Sequence, residues 1–354
     1  MRERIHHSRP TLGADESDAL ARVIESGYFS RGKECAAFEG ELSRIVQAPY
    51  VHATSSGTGA LHLALLALGA KPGGRVLLPS LTCAAVLNAI RYTGAEPVPY
   101  DCGYEVPSPK DLAPLVNKNT QAVIVVAPPD GFSGLVGFEM EKNGFAKVGG
   151  APVLLDRCQQ LSMEPYHGGK EQGPPARMEV FSFYATKCVS TGTGGAVTVR
   201  TDEDIVEVVD LNTHDERSTY EKTRYNYQFD ELRAAVGRCQ LAKLENFVWL
   251  RREHAKAYAA AFDQPEPQGG MVFRYLYDCG SEKKTYALRE ALSKKGIETK
   301  RPVFRPLHRY LGLPDKQFPR ASAAWGRHLS LPIYPSLTKK ERDRVIKNIR
   351  AAKV

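Results

Sequence analysis

A single lysine, Lys187, interrupts the run FSFYATKCVSTGTGGAV (Phe181–Val197), between an aromatic-serine segment of β character and a glycine-rich return. A lysine so placed is either the solvated tip of a hairpin or an amine that forms a Schiff base with a carbonyl cofactor. Partners elsewhere in the chain decide between the two. APVLLDRCQQLS ends an apolar segment on Asp156. An acid there caps a helix, or it lies beneath a pyridinium nitrogen and keeps it protonated, so that the ring acts as an electron sink. Gln159, three residues on, is placed to hydrogen-bond a ring hydroxyl. TSSGTGALHLALLALGA sets Ser56, Gly57, Thr58 and Gly59 between a strand and a helix. Free backbone N–H groups and the positive end of the helix dipole cradle a phosphate at such a junction. The plain alternative is an N-cap, for which Ser and Thr are preferred.

A phosphate cradle, a strand-end acid and a later lysine are the parts that a pyridoxal phosphate site requires. Ser182 adds a hydroxyl for the phosphate, and Gly192, Gly194 and Gly195 let backbone pass close to the cofactor. In that company Lys187 reads as the Schiff-base lysine.

These residues need a frame. Apolar runs of strand length (PYVHAT, RVLLP, AEPVPY, QAVIVVAP, APVLLD, MEVFSF, GGAVTVR) alternate with helix-like segments such as Gly59–Leu68 and Ala84–Tyr92. That alternation predicts an α/β fold, a mostly parallel central sheet sandwiched by helices, with ligands at the carboxyl ends of the strands. Near Asn226 the pattern changes to a long helix, with Phe229, Leu232, Val236, Cys239 and Phe247 at helical spacing towards Phe262. Short strands in GMVFRYLYD, a helix around Tyr286–Lys295 and a last helix from Lys339 to Ala352 follow. Residues 1–225 thus read as a large cofactor-binding domain with an N-terminal arm. Residues 226–354 read as a long connecting helix and a smaller C-terminal α+β domain.

The 354 residues, 42% hydrophobic and 25% charged, are ordinary for a globular protein. Seven cysteines without a CxxC pair argue for reduced thiols in the cytoplasm, against a disulfide framework and against a zinc or other metal site. No apolar stretch reaches membrane-spanning length, and MRERIHHSRP is too polar for the apolar part of a signal peptide. The net charge of +8 is not gathered into a basic tail, so neither nucleic acid nor a membrane is an expected partner. One local excess exists: nine Lys/Arg against three Glu between Ser281 and Arg309. It is either a solvated helix face or an attractor for an anionic substrate such as a nucleotide diphosphate.

The chain resembles the DegT/StrS-type family of pyridoxal-phosphate sugar aminotransferases, of aspartate-aminotransferase-like fold (type I). The resemblance rests on YFSRGKECAAFEGELS, SSGTGALHLAL, VLLPSLTCAAVLNAIRYTGAEPVPYD, VLLDRCQQ, FSFYATKCVSTGTGGAV, YNYQFDELRAAVGRCQLAKLE and LSLPIYPSLTKKERDRVI, in family order over nearly the whole chain. It implies Lys187 as the lysine joined to the cofactor aldehyde and as proton shuttle, and Asp156 as the pyridinium partner. It places Gln159 near the ring oxygen, and Thr58, Gly59 and Ser182 at the phosphate. Asn226 matches a position that reaches the neighbouring subunit's cofactor, which implies a homodimer with shared active sites. The implied reaction moves an amino group from glutamate or glutamine to a keto-sugar, nucleotide-linked rather than a free cyclitol ketone. In KRPVFRPLHRY the family's PLH closes over the active site, which makes Lys300, Arg301 and Arg305 candidates for a diphosphate and His308 for the sugar. Three departures stand out. Cys83 replaces an aromatic that commonly lies against the cofactor ring, APPDGFSGLVGF replaces a His-aromatic-Gly segment, and Arg157 and Gln160 stand where smaller residues are common. Two other readings follow. The pyridoxamine-dependent sugar dehydratases are opposed by Lys187, where they carry His. A cofactor-binding regulatory or assembly protein with a drifted site draws on Cys83 and APPDGFSG.

Overall fold

The computed structural model describes residues 4–132, 134–161, 173–215, 222–267 and 270–352. After an N-terminal arm come α1 (Ala14–Ser26), α2 (Lys33–Val46), β1 (Tyr50–Thr54), α3 (Gly57–Ala67), β2 (Arg75–Pro79), α4 (Ala84–Tyr92), β3 (Glu96–Tyr100), α5 (Pro109–Leu112) and β4 (Thr120–Val126). A small hairpin of β5 (Glu139–Met140) and β6 (Ala146–Val148) leads into β7 (Ala151–Asp156), then β8 (Met178–Ser182), β9 (Gly195–Val199) and α6 (Asp202–Asn212).

The main sheet runs β1-β9-β8-β7-β4-β2-β3, with β6 added to β7 and β5 to β6. Along the main path only β9 opposes its neighbours, while the β8-β7, β7-β4, β4-β2 and β2-β3 pairs are parallel. The carboxyl ends of β1, β2, β3, β4, β7 and β8 therefore share one edge. Side-chain alternation explains why both faces are covered. Val76, Leu78, Ile124, Leu154 and Val180 pack with Leu61, Leu65 and Ile90 on one face. Leu77, Val123, Val125, Val153 and Leu155 form the core of the other. Each such aliphatic side chain contributes about 1.5–3 kcal/mol by leaving water.

The helical period near Asn226 resolves into two helices, α7 (Glu231–Ala242) and α8 (Leu244–Phe262). Asp230 sets the start by accepting the Arg233 N–H at 2.9 Å. At Lys243 the backbone N–H turns back to the Gln240 carbonyl, and the ammonium pairs with Asp15 and Glu16 of α1 at 3.0 and 2.8 Å. The apolar period crosses the break because Leu241, Leu244 and Phe247 all enter one core.

The C-terminal unit comprises β10 (Tyr275–Asp278), α9 (Glu282–Lys294), α10 (Leu307–Tyr310), α11 (Pro319–Arg327), β11 (His328–Leu331) and α12 (Lys339–Ala351). β10 and β11 pair antiparallel over a core of Tyr258, Leu288, Leu292, Val345 and Ile349. Ile5 of the N-terminal arm joins this core and bridges Ile297, so the arm is packed on the C-terminal unit.

Candidate active site

Thr54, at the end of β1, faces Gly195 at the start of β9, which in turn faces Ser182 at the end of β8. A Cβ on Gly195 would stand 2.5 Å from the Ser56 carbonyl carbon and 2.6 Å from the Gly57 nitrogen. A Cβ on Gly57 would stand 2.9 Å from Cβ of Ser182 and 3.3 Å from Sγ of Cys158. The glycines thus let three strand ends close around the start of α3. Ser56 Oγ accepts the Gly59 N–H at 3.0 Å, so the N-cap reading holds for Ser56. Among the described residues nothing accepts from the backbone N–H of Gly57 or Thr58. Two free donors at a helix start, with a serine hydroxyl beside them, favour an anion.

β7 delivers Asp156, 5% exposed, whose Oδ1 accepts the Cys158 N–H at 2.8 Å. Burial raises its pKa; hydrogen bonding from Cys158 and the charge of Lys187 act the other way. Among the described residues no Lys or Arg forms an ion pair with it, so a further cationic N–H would stabilise its charged form. Lys187 is not a hairpin tip. The β8–β9 return is folded back by Phe183 N–H to Gly194 (2.9 Å) and Ala185 N–H to Gly192 (3.0 Å), with Gly192 at φ +79°. The lysine is half-buried, its N–H donates to the Tyr184 carbonyl at 2.8 Å, and Nζ lies 4.9 Å from the centroid of the Phe273 ring.

Gln159 lines a narrow crevice with Pro79, Tyr100 and Val126, which end β2, β3 and β4. That is where open α/β sheets keep ligands. Cys83 is exposed at the N-cap of α4, within electrostatic reach of Cys158 and Arg274. Asn226 is exposed between Tyr225 and Tyr227, whose rings stack at 5.8 Å and pack on His62. A buried acid lacking a cation, a half-buried amine and an anion cradle lined by glycines fit the three ends of pyridoxal phosphate: pyridine nitrogen, aldehyde and phosphate.

The basic stretch divides by task. Lys300 is exposed and pairs with Glu298 at 3.5 Å; Arg305 is exposed and lies over the Tyr310 ring at 5.5 Å. Arg301 is committed to the fold. It lies over the Trp325 indole at 4.6 Å and donates to the Trp325 carbonyl at 2.8 Å and to Gly326, closing the end of α11. His308 is fully buried, with Nδ1 2.5 Å from Ser80 Oγ, Nε2 2.9 Å from Asp315 Oδ1 and its ring stacked on Phe318. With both nitrogens occupied, it ties the C-terminal unit to the loop that leads from β2 to Cys83.

The departures at 157 and 160 also have structural tasks. Arg157 donates to Glu179 at 2.9 Å beneath the Phe181 ring, and Gln160 Nε2 donates to the Pro128 and Met271 carbonyls at 2.6 and 3.0 Å. Together they lock the loop that carries Cys158 and Gln159. Sequence reasoning did not single out Cys158, Phe273 or Arg274. The one signal was an arginine inside the apolar run GMVFRYLYD, and nothing in its spacing points to Lys187. Phe273 and Arg274 arrive because both backbone N–H groups donate to the Pro129 carbonyl, at 2.7 and 3.0 Å.

The chain is 29% identical to GDP-perosamine synthase of Escherichia coli O157:H7 over 94% of each chain. It is 30% identical to the spore coat polysaccharide biosynthesis protein SpsC of Bacillus subtilis (strain 168), over 97% of this chain and 96% of that one. Its fold matches the putative sugar aminotransferase Spr1654 from Streptococcus pneumoniae, in its PMP form, with a TM-score of 0.86 at 22% identity over 99% and 97% of the two chains. Residues 10–350 match the DegT/DnrJ/EryC1/StrS aminotransferase family, and the chain belongs to it.

Proposed function

We propose that the protein uses pyridoxal phosphate to move an amino group from glutamate or glutamine to a nucleotide-linked keto-sugar in amino-sugar biosynthesis. It would do so as a cytoplasmic homodimer with shared active sites. The observation that carries the reading is the buried carboxylate of Asp156, without an ion pair among the described residues yet within electrostatic reach of Lys187, at the strand edge that holds the α3 anion cradle. The name of the perosamine synthase supports a nucleotide-linked sugar.

When bound, pyridoxal phosphate supplies a carbonyl that condenses with primary amines and a ring that draws electrons from the adjoining carbon. The chain's own groups do the rest. The Gly57 and Thr58 N–H groups and the Ser182 hydroxyl hold the phosphate, with Ser56 and Gly59 fixing the turn. Asp156 holds a proton on the ring nitrogen, and Gln159 orients the ring from the crevice side. Lys187 Nζ anchors the aldehyde. As a free, uncharged amine it would take the proton from the donor's α-carbon and, in the second half-reaction, deliver one to the sugar carbon that gains nitrogen. Phe273 shields that amine from water on one side. Lys300 and Arg305, whose charges face solvent, are the proposed contacts for the diphosphate; Arg301 and His308 hold their segment in place. Asn226, exposed beside the cradle, would serve the partner's site.

The test is one preparation. Protein reconstituted with pyridoxal phosphate should be yellow and dimeric by sedimentation, and borohydride should fix the label to Lys187 alone. Glutamate or glutamine should bleach the band. A label on another residue sinks the assignment, a monomer that bleaches sinks the shared site, and a band that no amino acid bleaches leaves a cofactor-binding protein without transfer.

A further inference from the structure

Lys187 Nζ and the guanidinium carbon of Arg274 each lie 4.9 Å from the centroid of the Phe273 ring, so one aromatic carries two cations. The two fully buried arginines are firmly held: Arg157 by Glu179, and Arg251 by the Phe273 and Ile333 carbonyls at 3.2 and 3.1 Å. Arg274 differs. Its Nη1 meets only the neutral groups His7 Nε2 at 3.3 Å and Ser330 Oγ at 3.4 Å, both longer than the contacts of the other two, and its Nε, like theirs, has no partner among the described residues. Among the described residues no carboxylate pairs with it. Burial, with Arg251 nearby, lowers its pKa to about 10, which leaves it charged at neutral pH.

A half-buried guanidinium without a counter-ion, next to a second cation, is unfavourable until an anion arrives. The fold holds it in place nonetheless. Its backbone N–H donates to Pro129, and the N-terminal arm brings His7, whose Nε2 also meets Ser330 Oγ at 2.9 Å. That imidazole must be neutral at Nε2 to accept from Arg274, and burial together with Arg274 and Lys300 disfavours its protonation. One side of the guanidinium is thereby pinned by neutral acceptors, and its other donors are left for a ligand. Tyr104 and Cys83 are its electrostatic neighbours on the crevice side.

Every amino-acid donor bears a carboxylate on the carbon whose proton must reach Lys187 Nζ. The group that binds this carboxylate must stand within one small molecule's width of Nζ, and sharing the Phe273 ring keeps the Arg274 guanidinium carbon at most about 10 Å from it. We infer that Arg274, oriented by His7 and Ser330, binds the α-carboxylate of the amino donor. The inference rests on the aminotransferase reading above.

The test uses the reconstituted holoenzyme and two probes with no α-proton to lose, 2-methylglutamate and 2-methylglutamine, titrated at equilibrium by calorimetry. Arg274→Gln should weaken both by roughly tenfold to a hundredfold, the range for a charge-assisted pair. Arg274→Lys should fall between, and His7→Ala should weaken both by a smaller factor. Bleaching by glutamate should then need a higher concentration, with the saturating rate less affected. Binding of whichever of GDP, UDP and dTDP the wild type takes should stay unchanged. Wild-type affinity for the methylated probes in Arg274→Gln overturns the inference. So does a loss seen with 2-methylglutamate alone, which moves the contact to the side-chain carboxylate, or a loss confined to the nucleotide. Should Arg274→Gln fail to fold by circular dichroism, Arg274→Lys carries the test, and wild-type affinity there is equally decisive. If the wild type binds neither probe and no amino acid bleaches it, the aminotransferase reading fails first.

Discussion

At Asp156 the fold buries a carboxylate and raises its pKa, supplying only the Cys158 thiol and N–H and the distant charge of Lys187 as compensation. Such a group is poorly served until a protonated ring nitrogen lies against it. Asp156→Asn keeps the shape and the acceptor for Cys158 but removes the charge. Turnover should fall by about two to three powers of ten, the scale for losing one preorganised electrostatic contact. The apo protein should melt no lower than wild type, because an uncompensated buried charge has been removed. A variant with near-normal turnover, or an apo form that melts well below wild type, would refute this account. Lys187, Asp156 and the cradle were legible in the sequence because each sits at a strand end or helix start, where order along the chain predicts place. Arg274 was not, because it reaches Lys187 only through Pro129, Phe273 and the arm residue His7. His308 in PLH read as a candidate contact for the sugar, yet Ser80 on one side and Asp315 and Phe318 on the other enclose it.

At the scale of elements, the cradle depends on β9 lying against the loop before α3. Gly195→Ala would put a methyl 2.5 Å from backbone that cannot swing away, so the strand or the loop must shift. About 1–3 kcal/mol of stability should be lost, the usual range for overpacking, and cofactor should dissociate faster. Gly192→Ala is the control: nothing lies within 4 Å of its Cβ, and only the φ of +79° resists, costing about 1 kcal/mol. Urea midpoints and cofactor release on dilution should separate the two; equal behaviour would mean that crowding at residue 195 is not what matters. The parallel sheet was readable strand by strand, since runs buried on both faces carry an unbroken apolar signal. The β5–β6 hairpin was not, being two and three residues long with β5 exposed. The break at Lys243 left the apolar period intact and so left no mark in it; the residue at the break pairs with Asp15 and Glu16, far away in sequence.

Over the whole molecule, buried histidines set the response to acid. His52 in β1, His62 in α3 and His254 in α8 are at most 6% exposed, and burial lowers their pKa values to about 3, 4 and 4; His7 of the arm is equally buried, and burial with the charge of Arg274 lowers its pKa well below the usual value. His52 meets Asn212 and His62 meets the Tyr227 hydroxyl, while the one polar group acting on His254 from close by is the Leu337 backbone. In the unfolded chain these imidazoles take up protons near pH 6.5. Between there and pH 4 the unfolded state binds more protons, so stability rises with pH across this window and is lost as pH falls through it. Each group contributes at most about 1.4 kcal/mol per pH unit; His52, His62 and His254 together contribute about 5 kcal/mol between pH 7 and pH 5, and His7 adds to it. That is comparable with the whole stability of many domains, so acid should unfold this protein while most carboxylates are still ionised. Urea midpoints measured at pH 7, 6 and 5 should fall steeply. His254→Leu should remove about a quarter of the fall that the four buried histidines cause, with little loss at pH 7, since the ring's one polar neighbour is the Leu337 backbone. An unchanged slope in that variant would mean that the acid sensitivity arises elsewhere in the fold.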